Sequence, residues 1–189
     1  MKKPRIPTEA GLLKSAVHYL ERFAASQAML RRVLMRRVDR AVRAELIERE
    51  PGAEIVEKVV AKVIAAGLIN DQTYADSRAR TLLRRGRAPR AIAQDLRARG
   101  LGDQEITAGV AALTEEGDGD LELRAALRHA ERRRLGPFGT IPEDPEAAKA
   151  KRHKDLGNFA RAGFSSAVAQ QILAAPSRDA AIDLLTNQG

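Results

Sequence analysis

The feature that most constrains the fold of this chain is a short corner that occurs twice. Residues 96–103 and residues 159–166 each hold the end of a helical pattern, a glycine, a large apolar residue, a spacer and a residue that can cap a helix. Glycine permits the left-handed backbone that ends a helix, and the capping residue starts the next one. Any antiparallel helix pair can use such a turn. Its recurrence at the same place, between a second and a third helix, favours true internal repetition and an all-α fold.

The corners divide the chain into three repeats of three helices each. The first covers residues 8–69, the second 70–116 and the third 118–175, and a short helix follows at 178–185. A Gly/Asp segment, residues 117–120, separates the second repeat from the third. Because such small units bury little surface alone, we expect them to stack or pack in tandem.

Local signals predict where individual helices begin and end. Thr8 is placed to cap the first helix, which keeps Phe23 on its buried side, and Ser26 is placed to cap the second. The pair Pro51–Gly52 is interpreted as the end of the second helix, which could run to residue 50. Asp71 is interpreted as the cap of a helix over residues 73–85.

Composition restricts both the core and the compartment. Hydrophobic residues make up 44% of the chain but aromatic residues only 3%, so the core has to be aliphatic. The chain has no cysteine, which excludes disulfides, a thiolate nucleophile and sulfur-ligated zinc. No stretch approaches the ~20 apolar residues of a membrane span. We therefore expect a soluble, cytoplasmic protein.

The sequence offers no constellation typical of catalysis. The three histidines, His18, His129 and His153, lack metal-ligand spacing, and there is no phosphate-binding loop, dinucleotide fingerprint or nucleophile elbow. We predict a binding protein, with no catalytic residue, metal or cofactor, that acts as a monomer.

The positive charge is unevenly distributed. Net charge is +8, and the first 50 residues hold 12 basic against 6 acidic residues. A basic surface favours nucleic acid or an acidic protein face as partner. Few aromatic residues accompany the arginines, so any nucleic-acid contact is expected to be with the backbone.

Arginine clusters are the candidate binding residues. The cluster in the first repeat consists of Arg31, Arg32, Arg36 and Arg37, and it continues to Arg40 and Arg43. The cluster in the second repeat consists of Arg80, Arg84, Arg85, Arg87, Arg90 and Arg97. A third is Arg132–Arg134. Arginine near a helix C-terminus also compensates the helix dipole, which accounts for Arg84, Arg85 and Arg97 equally well. Arg87 and Arg90 are the least explained in that way.

The order of these motifs resembles the RecX family of regulatory proteins. The residues that carry the resemblance are Tyr19–Leu20, Ser26, Gly67–Asp71, Tyr74–Ala75, Arg85–Gly86, Leu96–Gly100, Arg161 and Gly163–Ser165. The chain departs from the family pattern where the first repeat lacks a glycine after its second helix. It also departs in the third repeat, where Arg161–Ala162 stands in place of two basic residues. The resemblance implies an elongated protein of tandem three-helix repeats that binds RecA filaments and restrains recombinase and co-protease activity. The alternative is a helical protein that binds nucleic acid without RecA.

Overall fold

The computed structural model describes residues 5–116 and 120–186, and within those ranges the fold is all-α, as predicted. No strand occurs in the part of the chain that is described. Residues 117–119, which hold most of the predicted Gly/Asp segment and the predicted start of the third repeat, lie outside the described residues.

Ten α-helices and one 3-10 helix follow one another along these ranges. They are α1 (Glu9–Leu20), α2 (Gln27–Val42), α3 (Arg49–Ala65), α4 (Asp71–Arg84), α5 (Pro89–Ala98), α6 (Asp103–Glu115), α7 (Leu121–Arg133), the 3-10 helix (Gly136–Phe138), α8 (Pro145–Ala162), α9 (Ser166–Ala174) and α10 (Arg178–Asp183).

The helices form two compact units. Unit 1 comprises Met1–Tyr74 and Ala98–Glu105, and unit 2 comprises Ala75–Arg97 and Ile106–Gly189. The division of the chain into three repeats stays a prediction.

Unit 1 has an aliphatic core between α1, α2 and α3. Its buried members are Leu12, Ala16, Leu30, Leu34, Val38, Val56, Val59, Val60, Val63 and Ile69. The interpretation of Pro51–Gly52 as the end of α2 is wrong, because both residues lie in the first turn of α3. Proline is tolerated there since the first turn has no intrahelical bond to lose. The placement of Phe23 on a buried side is also wrong, since α1 ends at Leu20 and Phe23 is 51% exposed.

Two hydroxyl caps in unit 1 are confirmed, and one predicted cap is corrected. The side chain of Thr8 accepts from Gly11 N in α1, and that of Ser26 accepts from Met29 N in α2. The cap of α4 is Asn70, whose side chain accepts from Thr73 N at 2.9 Å. Asp71 was predicted for that role, but its Oδ1 instead accepts from the backbone N–H of Gln27, at the start of α2. Sequence spacing cannot signal a cap supplied by a different helix.

Unit 2 contains Phe159 on α8, the largest fully buried side chain of the described residues. Its ring lies 5.7 Å from that of Phe164 and 5.6 Å from that of His129 on α7, measured between centroids. Asp155 of α8 is also buried and accepts from Gly136 N at 2.9 Å. The carboxylate thereby fixes the 3-10 helix, and the ring cluster holds α7 and α8 together.

The corners found in the sequence have the expected left-handed backbone. Gly100 has φ +80° and Gly163 has φ +90°, and the apolar residue after each is buried. The first repeat has a corner as well, although the sequence showed no glycine there. Glu45 takes φ +55°, and the N–H groups of Glu45 and Leu46 bond back to Val42 O and Ala41 O, respectively. A charged residue can therefore occupy the position that glycine usually fills.

Candidate partner-binding surfaces

In unit 1, the basic surface is a stripe along one side of α2. Arg32, Arg36 and Arg40 follow at intervals of four residues, so their side chains lie on one face. All three are exposed. Arg40 donates to the backbone oxygen of Arg36, and no carboxylate among the described residues pairs with it. The one carboxylate of α2, Asp39, is paired with Arg49 of α3, with 3.9 Å between Asp39 Oδ1 and Arg49 Nε. We call these three residues the α2 stripe.

The four predicted binding residues of α2 differ in whether their side chains have a partner within the protein. Arg31 is bonded to both carboxylate oxygens of Glu57, each at 2.9 Å. Arg32 donates to the carbonyl oxygen of Ala98 at 3.4 Å, which helps to cap the end of α5. Within the described part of the chain, the exposed side chains of Arg36 and Arg37 have neither hydrogen bond nor ion pair.

In unit 2, several predicted residues have local partners. Arg80 donates to Glu116 at 2.6 Å, and this pairing raises its pKa. Arg84 is exposed and donates to the Thr81 hydroxyl at 3.3 Å. Arg97 is exposed but has an interaction of its own. These pairings make Arg80 in particular a poorer candidate for a partner contact than its position in the sequence indicated.

The remaining predicted residues of unit 2 lie at the corner between α4 and α5. Gly86 has φ +68°, and a Cβ built there would lie only 2.8 Å from the backbone N of His129. The corner therefore packs directly on the backbone of α7. Arg132 of α7 crosses to the same place and donates to the carbonyl oxygen of Arg85 at 2.6 Å. This close approach brings two clusters together that are far apart in sequence.

We name the resulting surface the corner cluster; its members are Arg85, Arg87, Arg90, Arg132 and Arg133, and all five are exposed. In the described residues, the side chains of Arg85, Arg87, Arg90 and Arg133 have no carboxylate partner. The sequence predicted the first three members as binding residues and identified Arg132 and Arg133 only as a separate cluster. The signal that could have joined them is Gly86, because a glycine at a corner permits another helix to come close.

The surroundings of His129 disfavour the protonated imidazole. Burial lowers the pKa of its imidazole, and the positive charges of Arg133, Arg132 and Arg87 lower it further. Its Nε2 is buried and has no hydrogen-bond partner among the described residues. The imidazole ring centroid lies 5.3 Å from that of Phe164. The histidine therefore packs as a neutral ring beneath the cationic corner.

One polar contact that sequence reasoning missed supports α4 and α5. Arg78 donates from two nitrogens to the two carboxylate oxygens of Asp95, at 2.9 and 3.0 Å. Both side chains are about three-quarters buried. This bidentate geometry fixes the angle of the two helices that hold the corner, and it resists rotation better than a single contact.

No helix in the ranges 5–116 and 120–186 combines the length and the apolar character needed to cross a bilayer. In the same ranges, no group of three or more His, Asp or Glu side chains is placed to hold a metal ion.

Comparison with known sequences identifies relatives over most of the chain. A family model described as "RecX, second three-helix domain" matches residues 70–109. The protein named Regulatory protein RecX from Myxococcus xanthus (strain DK1622) is 41% identical over 172 residues, which cover 91% of this chain and 89% of that protein. Its namesake from Agrobacterium fabrum (strain C58 / ATCC 33970) is 29% identical over 88% of this chain and 83% of its own.

Solved structures show the same fold. "Crystal structure of RecX from Lactobacillus salivarius" aligns with a TM-score of 0.58 at 18% identity and covers 94% of this chain and 96% of that one. "Crystal structure of regulatory protein RecX" aligns with a TM-score of 0.57 at 22% identity, over 86% of this chain and 70% of that one.

Proposed function

Since the chain belongs to the RecX family of regulatory proteins, we propose that it binds RecA or the RecA–DNA filament and modulates, mainly by inhibition, its recombinase, ATPase and co-protease activities. It acts as a non-enzymatic, cofactor-free monomer in the cytoplasm.

The observation that carries this proposal is the corner cluster. Five exposed arginines lie where α4, α5 and α7 meet, and none of the five has a carboxylate partner within the described residues. Folding brings like charges together here at an electrostatic cost that a binding partner would offset. The planar guanidinium groups suit carboxylates and phosphates, which they can bind with two parallel hydrogen bonds. A protein–DNA filament presents both kinds of anion.

The α2 stripe is the second contact surface of the proposal. Its residues Arg32, Arg36 and Arg40, with the neighbouring Arg37, are suited to the phosphate backbone because that backbone is recognised by charge without sequence reading. Arg80 contributes less, because its charge is already paired with Glu116. Arg84 and Arg97, which also have interactions within the protein, lie outside the corner cluster and the α2 stripe.

The test is a titration of RecA's DNA-dependent ATP hydrolysis with this protein. Inhibition is expected at substoichiometric amounts, and the double variant Arg87→Glu/Arg90→Glu is expected to inhibit several-fold less with unchanged helicity. The matched control is Arg5→Glu/Lys14→Glu, which makes the same change in net charge at two exposed positions of unit 1. An excess of wild-type protein that leaves hydrolysis unchanged at low salt would contradict the proposed function. Equal effects of the two double variants would remove the corner cluster from the site.

A second candidate function is nucleic-acid binding without RecA. The α2 stripe favours it, because three exposed cations on one helix face attract phosphates whatever the partner. It predicts salt-sensitive DNA binding and no capture of RecA. A pull-down with and without DNA separates the two candidates.

A further inference from the structure

The first half of α8 is an exposed helical segment that no described residue covers fully. From residue 145 to residue 154 no side chain is buried, and only Ala148 and Lys151 are half-buried. The buried residues of α8 begin at Asp155 and continue with Phe159 and Ala162. We call residues 145–154 the basic segment.

The basic segment is stabilised as a helix although little packs on it. Asp144 caps it, with a carboxylate oxygen that accepts from Ala147 N at 2.7 Å, and Pro145 occupies the first turn. Its sequence after the first turn consists of alanine, lysine, arginine and one histidine, which favour helix for the most part. A short helix without a packed face is only marginally stable in water. The helix cap and the amino-acid composition therefore stabilise a helical segment that contributes no side chain to the buried core.

The basic segment carries far more positive than negative charge. It carries four lysine or arginine side chains and a single carboxylate, Glu146. Lys151 is bonded to the buried Asp155 at 2.5 Å, and Arg152 donates to the carbonyl oxygen of Leu173 on α9. These two anchor α8. Lys149 and Lys154 are exposed, and within the described residues their ammonium groups have no partner.

We propose that the basic segment binds the phosphate backbone of nucleic acid, through Lys149 and Lys154, as a site separate from the corner cluster and the α2 stripe. The attraction is electrostatic, because the segment has more cations than anions and phosphates are negatively charged. Phosphate oxygens only accept hydrogen bonds, so they suit the ammonium groups, which only donate. A protein partner fits less well. Protein interfaces gain most of their energy from aromatic and large apolar anchors, and the exposed apolar side chains of residues 145–154 are alanines. With no base-stacking aromatic residue in the segment, the contact reads no sequence.

The test measures binding of a fluorescein-labelled 30-nucleotide oligothymidylate, and of a duplex of the same length, by anisotropy from 0.05 to 0.2 M salt. The variant is Lys149→Gln/Lys154→Gln, because glutamine keeps the helix propensity and the approximate length of lysine. The matched control is Lys14→Gln/Lys58→Gln, two exposed lysines on α1 and α3. Circular dichroism verifies that the variants keep the helical content of the wild type.

Removal of two phosphate contacts should reduce the salt slope of log K by about 1.4 on the single strand and about 1.8 on the duplex. At 0.1 M salt the corresponding loss of affinity, for lines that meet at 1 M salt, is roughly 25- to 60-fold, against little change in the control. An unchanged slope, or equal losses in variant and control, would overturn the site. So would a loss of binding to poly-L-glutamate with none to the oligonucleotide, which would assign the segment to an acidic protein. The assay contains no RecA, so its outcome does not depend on the proposed regulation of RecA.

Discussion

Replacing Gly86 by alanine tests whether the α4–α5 corner packs on the backbone of α7. Gly86 has φ +68°, and an added Cβ would lie 2.8 Å from His129 N and 3.1 Å from His129 Cα. Backbone atoms of a helix cannot move aside as a flexible side chain can. Gly67 is the matched control, because it has φ +69° and nothing lies within 4 Å of an added Cβ. The two substitutions share the backbone strain and differ in the clash.

The magnitudes follow from these two terms. Left-handed backbone costs an alanine about 1–2 kcal/mol, which is the whole expected loss of stability for Gly67→Ala. Overpacking against a rigid neighbour adds about 1–3 kcal/mol for Gly86→Ala. Urea unfolding followed by circular dichroism measures both. The two glycines lie in different units, which need not unfold in a single transition. Each variant is therefore compared with the wild type at the urea midpoint of the unfolding transition that the substitution shifts.

A loss for Gly86→Ala no larger than that for Gly67→Ala would refute the reasoning. It would mean that α7 does not approach the corner, and the corner cluster would then lose Arg132 and Arg133 as members.

Two further predictions concern buried polar groups. Ser26→Ala should destabilise the protein by about 2–4 kcal/mol in urea unfolding, because it removes a helix cap and leaves the carbonyl oxygen of Arg99, now bonded to the hydroxyl at 2.6 Å, without its partner. For His129, burial and the neighbouring arginines lower the pKa in the folded protein below the 6.5 of the unfolded chain. The unfolded state then binds more protons, so stability is full above pH 6.5 and falls as the pH drops below it, and His129→Leu should weaken this dependence.

Each of these has a contrary result. Ser177→Ala removes only a cap, at the exposed start of α10, so a loss as small for Ser26→Ala would show that the bond to Arg99 contributes nothing. For His129, the free energy of unfolding is measured at pH 5, 6, 7 and 8. An identical slope in wild type and His129→Leu would contradict the lowered pKa.

Much of the fold follows from the sequence because helix corners are local. Gly100 and Gly163 were interpreted as left-handed ends, and the hydroxyl caps Thr8 and Ser26 were identified correctly. In each case the atoms that decide the conformation lie within a few residues of one another. The family assignment rested on the same local signals and is confirmed.

The failures have a common physical cause, which is that the deciding contact is distant or the residue type is unusual. Glu45 and Arg134 take left-handed backbone, at φ +55° and +54°, although side chains other than glycine seldom do. Asp71 has the right type and spacing for a cap, yet it serves α2. Pro51 was interpreted as the end of α2, but α3 begins at Arg49, so the proline lies in the first turn of α3.

The candidate surfaces were predicted in part for the same reason. The α2 stripe follows from helical spacing alone, so its members could be identified in the sequence. The corner cluster could not be assembled, because Arg132 meets Arg85 only through the packing of α7 on the corner. The sequence also could not show ion pairs, which separate Arg80, bonded to Glu116, from Arg87, which has no partner in the part of the chain that the structure describes.

The discontinuity of unit 1 has a consequence for the order in which the protein can be made. Its last piece, residues 98–105, carries the Arg99 carbonyl oxygen that accepts from the buried hydroxyl of Ser26. A ribosome that adds about 5–20 residues per second needs roughly 2–6 s to extend the chain from residue 74 to residue 105. During that interval α1, α2 and α3 have been synthesised, while the hydroxyl of Ser26 still lacks its acceptor, the carbonyl oxygen of Arg99. Unit 1 therefore finishes folding only after part of unit 2 has been synthesised.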